Sequence, residues 1–311
     1  MSIQSDTARA SLVPWQSGST DIRGVKLAWE QAGPEHGDPM LLINGLSWQA
    51  IHWPDALAAN FISRGFRVIR FDNRDIGLSS SVNRGIRFDI YKDAARVMMG
   101  RPVAANYKLP ELADDTLGLM DALGLGRVHL VGFSMGGMIS QIVAAKHPLR
   151  VKSFAALSTS TNHPWLPPPK LSVIRQMFAP LPADADHDLI VANMVKTLRI
   201  LQGRAYPTPK RELFELCERA FARDFRPGGM LRQAHGIIAT GSIEEFTRNV
   251  VAPTQVIHGT EDPLLRPTAG KRVAKLVRGS RLDLIRGLGH DMPEAVLPHI
   301  ADLVAANAAR A

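Results

Sequence analysis

The chain has a single cysteine, Cys217, among 311 residues. It can form no internal disulfide and build no thiolate metal cluster. Such usage fits a reducing compartment, so a cytoplasmic location is expected. No apolar run approaches the roughly 20 residues that cross a bilayer, so no membrane span is expected. Residues 1–10 hold no apolar segment of the kind that directs secretion. Lys and Arg outnumber Asp and Glu by 37 to 29, a net charge of +8. The basic residues are nevertheless dispersed among acids, with no long block and no interleaved aromatics. This is a solvated basic surface and argues against nucleic acid as a partner. There is no Gly-x-x-x-x-Gly-Lys-Ser/Thr, no Gly-x-Gly-x-x-Gly after the first strand, no His-Glu-x-x-His and no Cys-x-x-Cys. No cofactor and no metal are implied. Internal repeats and low-complexity segments are absent too.

What the chain does have is apolar content enough for a sizeable core, 45% of residues. Its length suits one large α/β domain or a core with an insertion. The organising stretch is Val131-Gly132-Phe133-Ser134-Met135-Gly136-Gly137. The apolar, β-branched run 127–131 before it predicts a buried strand. The Ala-rich run 138–147 after it predicts a helix, stopped by Pro148. Strand, Gly-x-Ser-x-Gly turn, helix is the setting of a nucleophile elbow, with a plain Gly/Ser loop as the alternative. Side chains at Gly132 and Gly136 would crowd the neighbouring strand and helix. The helix that starts there would aim its free N–H groups at a developing oxyanion.

Residues 1–17 read as a loose lead-in. A β-hairpin is predicted around Arg23-Gly24, with Val25, Leu27 and Trp29 on one apolar face. A buried strand at 40–43 runs into Asn44-Gly45-Leu46-Ser47-Trp48. A glycine-containing loop there is where a second oxyanion donor, the backbone N–H of Leu46, is expected; the alternative is a plain turn. Trp48 and Trp53 either line an acyl pocket or pack in the core. A helix over 56–64 and a strand over 66–71 lead to Asp72-Asn73-Arg74-Asp75-Ile76-Gly77-Leu78-Ser79. Paired Asp and Arg there suit a braced loop better than chemistry. Residues 84–101, rich in Arg and Met, carry no clear pattern. An amphipathic helix over 109–123 has Pro in its first turn and Gly124 at its end.

Another buried strand is predicted at 151–160. The strand–helix alternation then breaks. From 161 to 243 the pattern is helical, with segments at 188–202, 209–224 and 229–239 after a proline-rich start. This predicts a helical cap inserted into a core made of residues 1–160 and 244–311; the alternative is a peripheral decoration. Strands at 254–258 and 281–285, a helix at 269–277 and a last helix at 295–308 complete the pattern.

A serine hydroxyl needs a base within hydrogen-bond reach, and the base needs an orienting acid. The chain order Ser, Asp, His is met by Ser134, Asp262 and His290, each in a loop after a strand, where open α/β sheets place their sites. Glu261 competes with Asp262 for the acid's role; Pro263 favours Asp262 by suiting a turn. Asp291, next to the base, should point the other way. His258, at a strand end, reads as a core residue or a support. The oxyanion donors would be the backbone N–H groups of Met135 and Leu46.

These motifs together resemble the α/β-hydrolase fold family over nearly the whole chain outside the cap. The resemblance rests on Asn44-Gly45-Leu46, Asp72 through Ser79, Gly132 through Gly137, Ile257-His258-Gly259-Thr260-Glu261-Asp262-Pro263 and Gly287-Leu288-Gly289-His290-Asp291-Met292-Pro293. It implies a mostly parallel eight-stranded sheet with helices on both faces and a cap after the sixth strand. It also places the acid at Asp262. Asn44 departs from the commoner pattern, in which His precedes the oxyanion glycine. The 72–79 turn and Arg226-Pro227-Gly228-Gly229-Met230-Leu231-Arg232-Gln233 are similar to a subgroup that includes aclacinomycin methylesterase and many bacterial esterases.

The expected activity is hydrolysis of carboxylic esters of small to medium apolar substrates through an acyl-enzyme. The alternatives are a carbon–carbon hydrolase or lactonase with the same triad, and a low-turnover binding protein for small apolar ligands. Trp48, Trp165 and Met292 are expected to bind substrate, with Met177, Phe178 and Met194 as further cap contacts. The partner is a small-molecule ester, and the protein is expected to be a monomer or homodimer.

Overall fold

β1 (Gln16–Ile22) and β2 (Val25–Ala32) form the expected antiparallel hairpin. Arg23 and Gly24 at its tip have φ of 54° and 83°, the left-handed backbone that matches a two-residue turn to the strand twist. The structure, a computed structural model, describes residues 13–87, 89–182 and 184–311. Most of the expected lead-in, residues 1–12, lies outside the described residues, as does the stretch read for a secretion signal. The rest of it is regular earlier than expected. β1 begins at Gln16, and Trp15 donates to Asp55 at 3.0 Å beneath the Arg70 guanidinium.

Six more strands follow: β3 (Asp38–Ile43), β4 (Phe66–Phe71), β5 (Val128–Phe133), β6 (Val151–Leu157), β7 (Thr254–Gly259) and β8 (Arg281–Ile285). They complete one eight-stranded sheet in the order β1-β2-β4-β3-β5-β6-β7-β8. β2 runs antiparallel to its neighbours β1 and β4, and all pairs from β4 to β8 are parallel. A parallel strand is covered on both faces, which is why Met40–Ile43 of β3 and all of β5 but His129 carry no polar side chain. Leu41 and Ile43 enter one core while Met40 and Leu42 enter the other. In β5, Val128 and Leu130 face the first core, and Val131 and Phe133 the second.

α1 (Asp55–Ile62) lies between β3 and β4 in sequence, α2 (Ile90–Met98) and α3 (Leu109–Ala122) between β4 and β5, and α4 (Met135–Lys146) between β5 and β6. α5 (Leu171–Met177), α6 (His187–Leu201), α7 (Lys210–Arg223), α8 (Pro227–Thr240) and α9 (Glu244–Arg248) run consecutively between β6 and β7. α10 (Pro267–Leu276) and α11 (Leu297–Ala308) complete the chain. The first core is closed by α3, α4 and α10, and the second by α1 and α11. No described helix is long and apolar enough to cross a membrane.

The helices between β6 and β7 have a small core of their own, built from Val191, Val195, Leu213 and Cys217 of α6 and α7. The two ends of this segment meet. Ile243 N–H donates to the Thr161 carbonyl at 2.9 Å, and the Asn162 amide donates to the carbonyls of Ile237 and Gly241, both at 2.7 Å.

Candidate active site

Ser134 sits at the sharp join between β5 and α4, with φ 54° and ψ −118°. Only close packing holds a side-chain-bearing residue in such a conformation. Its N–H donates to Leu157 O at 2.9 Å, and Thr159 Oγ1 donates to its carbonyl at 2.7 Å. The crossing is tight: a Cβ at Gly136 would overlap the Ile43 carbonyl, and one at Gly132 would press on the Gly136 backbone. Met135 is the first residue of α4, so its N–H has no partner within the helix and points out of the helix end. On the other side the Gly45 backbone passes close to Ser134. A Cβ built there would lie 3.2 Å from that of Ser134, and the next residue, Leu46, shares a cavity wall with Ser134.

Three loops after three strands bring the expected residues together. Ser134 Oγ lies 2.9 Å from His290 Nε2, and His290 Nδ1 lies 2.7 Å from Asp262 Oδ2. Asp262 accepts from the backbone N–H groups of Leu264 and Leu265 through Oδ1, at 2.9 and 2.8 Å. The carboxylate therefore serves as acceptor and takes the His290 Nδ1 proton in a hydrogen bond. That leaves the Nε2 lone pair to accept from Ser134. Burial works to raise the Asp262 pKa, but the two imidazoles of His290 and His258 outweigh it and hold the carboxyl well below the ordinary range. His258, fully buried, donates from Nε2 to the Leu265 carbonyl at 2.7 Å and stands 3.3 Å from Asp262 Oδ2. It supports the acid from behind.

Glu261, the competing acid, is turned outward and grips Arg204 through the Arg204 N–H and guanidinium. Asp291 is half-buried, with both carboxyl oxygens enclosed and the Gly289 N–H near them. The His290 loop is held by the segment that follows α6. His290 N–H donates to Leu201 O at 2.7 Å, and Gly203 and Gly289 pack backbone on backbone.

Ser134 and His290 open onto a cavity of about 630 Å³ between the ends of the parallel strands and helices α5–α8. Its walls are largely apolar, with Leu46, Trp48, Met177, Phe178, Met194 and Phe225 among them. Trp48 both lines it and stacks on Phe133 with ring centres 4.4 Å apart, while Trp53 is buried in the second core. Two expected contacts are placed elsewhere. Trp165 is 71% exposed and does not line the cavity, because the proline-rich segment carrying it runs over the surface. Met292 turns away from the cavity and packs against the second core. Three polar residues not anticipated from the sequence belong to the wall or its support: Gln49, His52 and Gln233. Gln49 donates to the carbonyls of Ala220 and Asp224 at 2.7 and 2.8 Å. Burial pushes His52 down to about 4, so its imidazole is neutral in the cavity wall. Cys217 also lines the cavity, its thiol pushed up to about 12 by burial.

The 72–79 turn is a brace, as its composition suggests, and its reach extends to α7 and α8. Asp72 accepts from Ala50 N–H and from Arg223, both at 2.6 Å. Arg74 forms a two-pronged pair with Asp115 of α3 at 2.6 Å on each prong. Asp75, with φ 76°, accepts from Tyr107 and from both prongs of Arg232. Arg226 donates to the carbonyls of Ser79 and Gly77.

Residues 35–294 match the family described as alpha/beta hydrolase fold. The chain belongs to this family of hydrolases. Among curated members, a rhodomycin D methylesterase from Streptomyces peucetius is 27% identical over 306 residues, covering 91% of this chain and 95% of that protein. Among solved structures, the enol-lactonase from Burkholderia xenovorans superposes with a TM-score of 0.71 at 21% identity, over 93% of this chain and 99% of the other. The meta-cleavage product hydrolase from Pseudomonas fluorescens superposes with a TM-score of 0.70 at 20% identity, over 94% and 97%. The two structural likenesses bear on the α/β-hydrolase fold alone.

Proposed function

We propose that this α/β-hydrolase is a serine esterase that cleaves carboxylic esters of small to medium apolar substrates through an acyl-enzyme. The observation behind the reading is the unbroken line of hydrogen bonds from Ser134 Oγ through His290 to Asp262, opening on an apolar cavity. Ser134 Oγ attacks the ester carbonyl while His290 Nε2 takes its proton. The N–H groups of Leu46 and Met135 stabilise the oxyanion. On collapse of the tetrahedral intermediate, His290 returns the proton to the leaving alcohol. Water, deprotonated by the same nitrogen, then attacks the acyl-enzyme, and Ser134 recovers its proton as the acid leaves. Asp262 keeps the proton on Nδ1 and offsets the charge His290 gains. Residues 161–243 serve as the cap that shapes the acyl and alcohol pockets over a core of 1–160 and 244–311.

The methylesterase likeness spans nearly both chains and favours an ester over another bond. The same triad can open a lactone or a carbon–carbon bond, and the two structural neighbours carry such names. A binding protein would have no use for an acid so fully hydrogen-bonded behind the base. The test is hydrolysis of p-nitrophenyl esters of increasing acyl length, with Ser134→Ala as control. The wild type should turn over with a chain-length optimum, and Ser134→Ala should lose roughly 10⁴-fold or more while remaining folded. A folded wild type that hydrolyses none of the series, or an unimpaired Ser134→Ala, would contradict the reading.

A further inference from the structure

The loop that carries the Leu46 N–H is a tight turn. Trp48 N–H donates to Gly45 O at 3.3 Å, and Ser47 in its third position has φ 65°. That is the pattern of a turn whose central peptide is flipped to demand left-handed backbone at its third residue, a place glycine normally takes. Serine there is strained, and the central Leu46–Ser47 peptide can relax by flipping back unless something holds it. What holds it comes from 186 residues further along the chain: Gln233 Oε1 accepts from Ser47 N–H at 2.9 Å. The other end of the same amide donates from Nε2 to Arg74 O at 2.9 Å. Gln233 is 1% exposed and is absent from the cavity wall. Its helix, α8, is itself anchored at the neighbouring residue, where Arg232 clasps Asp75, and at Gly229, whose backbone lies against the Asp75 carbonyl with no room for a Cβ.

We infer that Gln233 is a positioning residue for the oxyanion hole. By holding the Ser47 N–H it fixes the Leu46–Ser47 peptide, and with it the backbone path through Leu46 that sets the adjoining Gly45–Leu46 peptide and its N–H, so a residue of the helical insertion completes the catalytic frame without touching substrate. The inference rests on the esterase reading above. It accounts for a juxtaposition invisible in the linear sequence. The 72–79 turn and the 226–233 segment fit against each other, and the Gln233 amide joins both to the oxyanion loop, which Asn73 Nδ2 also reaches by donating to the Asn44 carbonyl at 3.3 Å. It also means that the first turns of α8 are fixed to the core.

Three proteins test it: wild type, Gln233→Leu and Gln233→Glu. Each is assayed with p-nitrophenyl butyrate and with a trifluoromethyl ketone, whose serine-bound hemiketal presents an oxyanion. Loss of a single oxyanion donor costs roughly 10²–10³ in rate, and a donor displaced by about 1 Å costs up to about 10². Gln233→Leu should therefore lose about 10- to 100-fold in kcat with KM within about threefold of wild type. Its affinity for the ketone should fall in step with kcat/KM. A protonated Glu can accept from Ser47 and donate to Arg74 O, whereas an ionised one sets a charge against that carbonyl. The ratio of Gln233→Glu to wild-type kcat, each normalised to the folded fraction measured by circular dichroism at the same pH, should thus rise as pH is lowered; the normalisation removes the loss of folding that an ionised buried Glu also causes. Wild-type kcat and ketone affinity in Gln233→Leu would overturn the inference. If Gln233→Leu does not fold, a flat Gln233→Glu ratio overturns it. A wild type that neither turns over esters nor lets a fluorophosphonate label Ser134 overturns the esterase reading and this inference with it, whereas an active wild type matched by Gln233→Leu overturns this inference alone.

Discussion

Two carboxylates adjoin His290 and meet opposite fates. Asp262 accepts from two backbone N–H groups and from His290, with His258 behind it. Asp291, one residue from His290, is half-buried with both carboxyl oxygens enclosed. Burial pushes its carboxyl up to about 7, the approach of the Gly289 N–H offsets part of this, and the charge on Asp262 adds to the rise. The two acids act on stability with opposite sign. A depressed carboxyl such as Asp262 stabilises the fold above its ordinary value near 3.8, and that contribution is lost as pH falls through its lower folded value. Asp291 binds its proton more tightly folded than unfolded, so the fold loses stability as pH rises from near 3.8 to about 7 and stays weakened above that. A gap of that size corresponds to about 4 kcal/mol. Asp291→Asn should therefore stabilise the protein at pH 9 by up to about 4 kcal/mol more than it does near pH 4, read as the difference in urea unfolding free energy. A pH-independent difference would contradict this. That Asp262, and not Glu261 or Asp291, meets His290 was suggested in the sequence by Pro263, which suits a turn, and by the family pattern, which places the acid at Asp262. That the Asp291 carboxyl is enclosed was not, since burial depends on what packs over the loop.

At the scale of elements, the site is a crossing of β3, β5 and α4. Gly136 on α4 meets the end of β3 so closely that a Cβ would overlap the Ile43 carbonyl, which belongs to backbone and cannot swing aside. Gly136→Ala should cost about 2–4 kcal/mol of stability, measured by urea unfolding, and should lower kcat in the fraction that folds. An alanine variant as stable as wild type would contradict the crossing. The glycines were readable because the Gly-x-Ser-x-Gly spacing is the record of this crossing. Strands β3, β5, β6 and β7 were readable as short apolar runs, and α6, α7 and α8 by their periodicity. α2, α5 and α9 were not. α2 buries none of its residues and exposes Tyr91 and Met98, so its apolar positions mark no core-facing stripe. α5 and α9 span 7 and 5 residues, too short for a helical period to stand out.

At the scale of the molecule, the helices between β6 and β7 and the ends of the parallel strands form one cavity, and both loops that flank Ser134 are tied to those helices. Leu201 holds the His290 loop, and Gln233 and Arg223 hold the turns at Ser47 and Asp72. The break in strand–helix alternation foretold that a helical segment would interrupt the sheet. It could not foretell which of its residues face inward. Met177, Phe178 and Met194 line the cavity, whereas Trp165, as large and apolar, lies on the surface. Such pairings join residues about 90 to 190 positions apart through turns and caps, and a single sequence carries no periodic signal for them. The central claim is that Ser134 is the nucleophile of an acyl transfer, and intact-mass spectrometry after treatment with a fluorophosphonate tests it most directly. One adduct per chain is expected, located on Ser134 by peptide mapping, abolished in Ser134→Ala and formed at least about 10³-fold more slowly in His290→Ala, where the base is gone. A folded wild type that hydrolyses esters with no adduct, or with the adduct on another residue, would contradict the account.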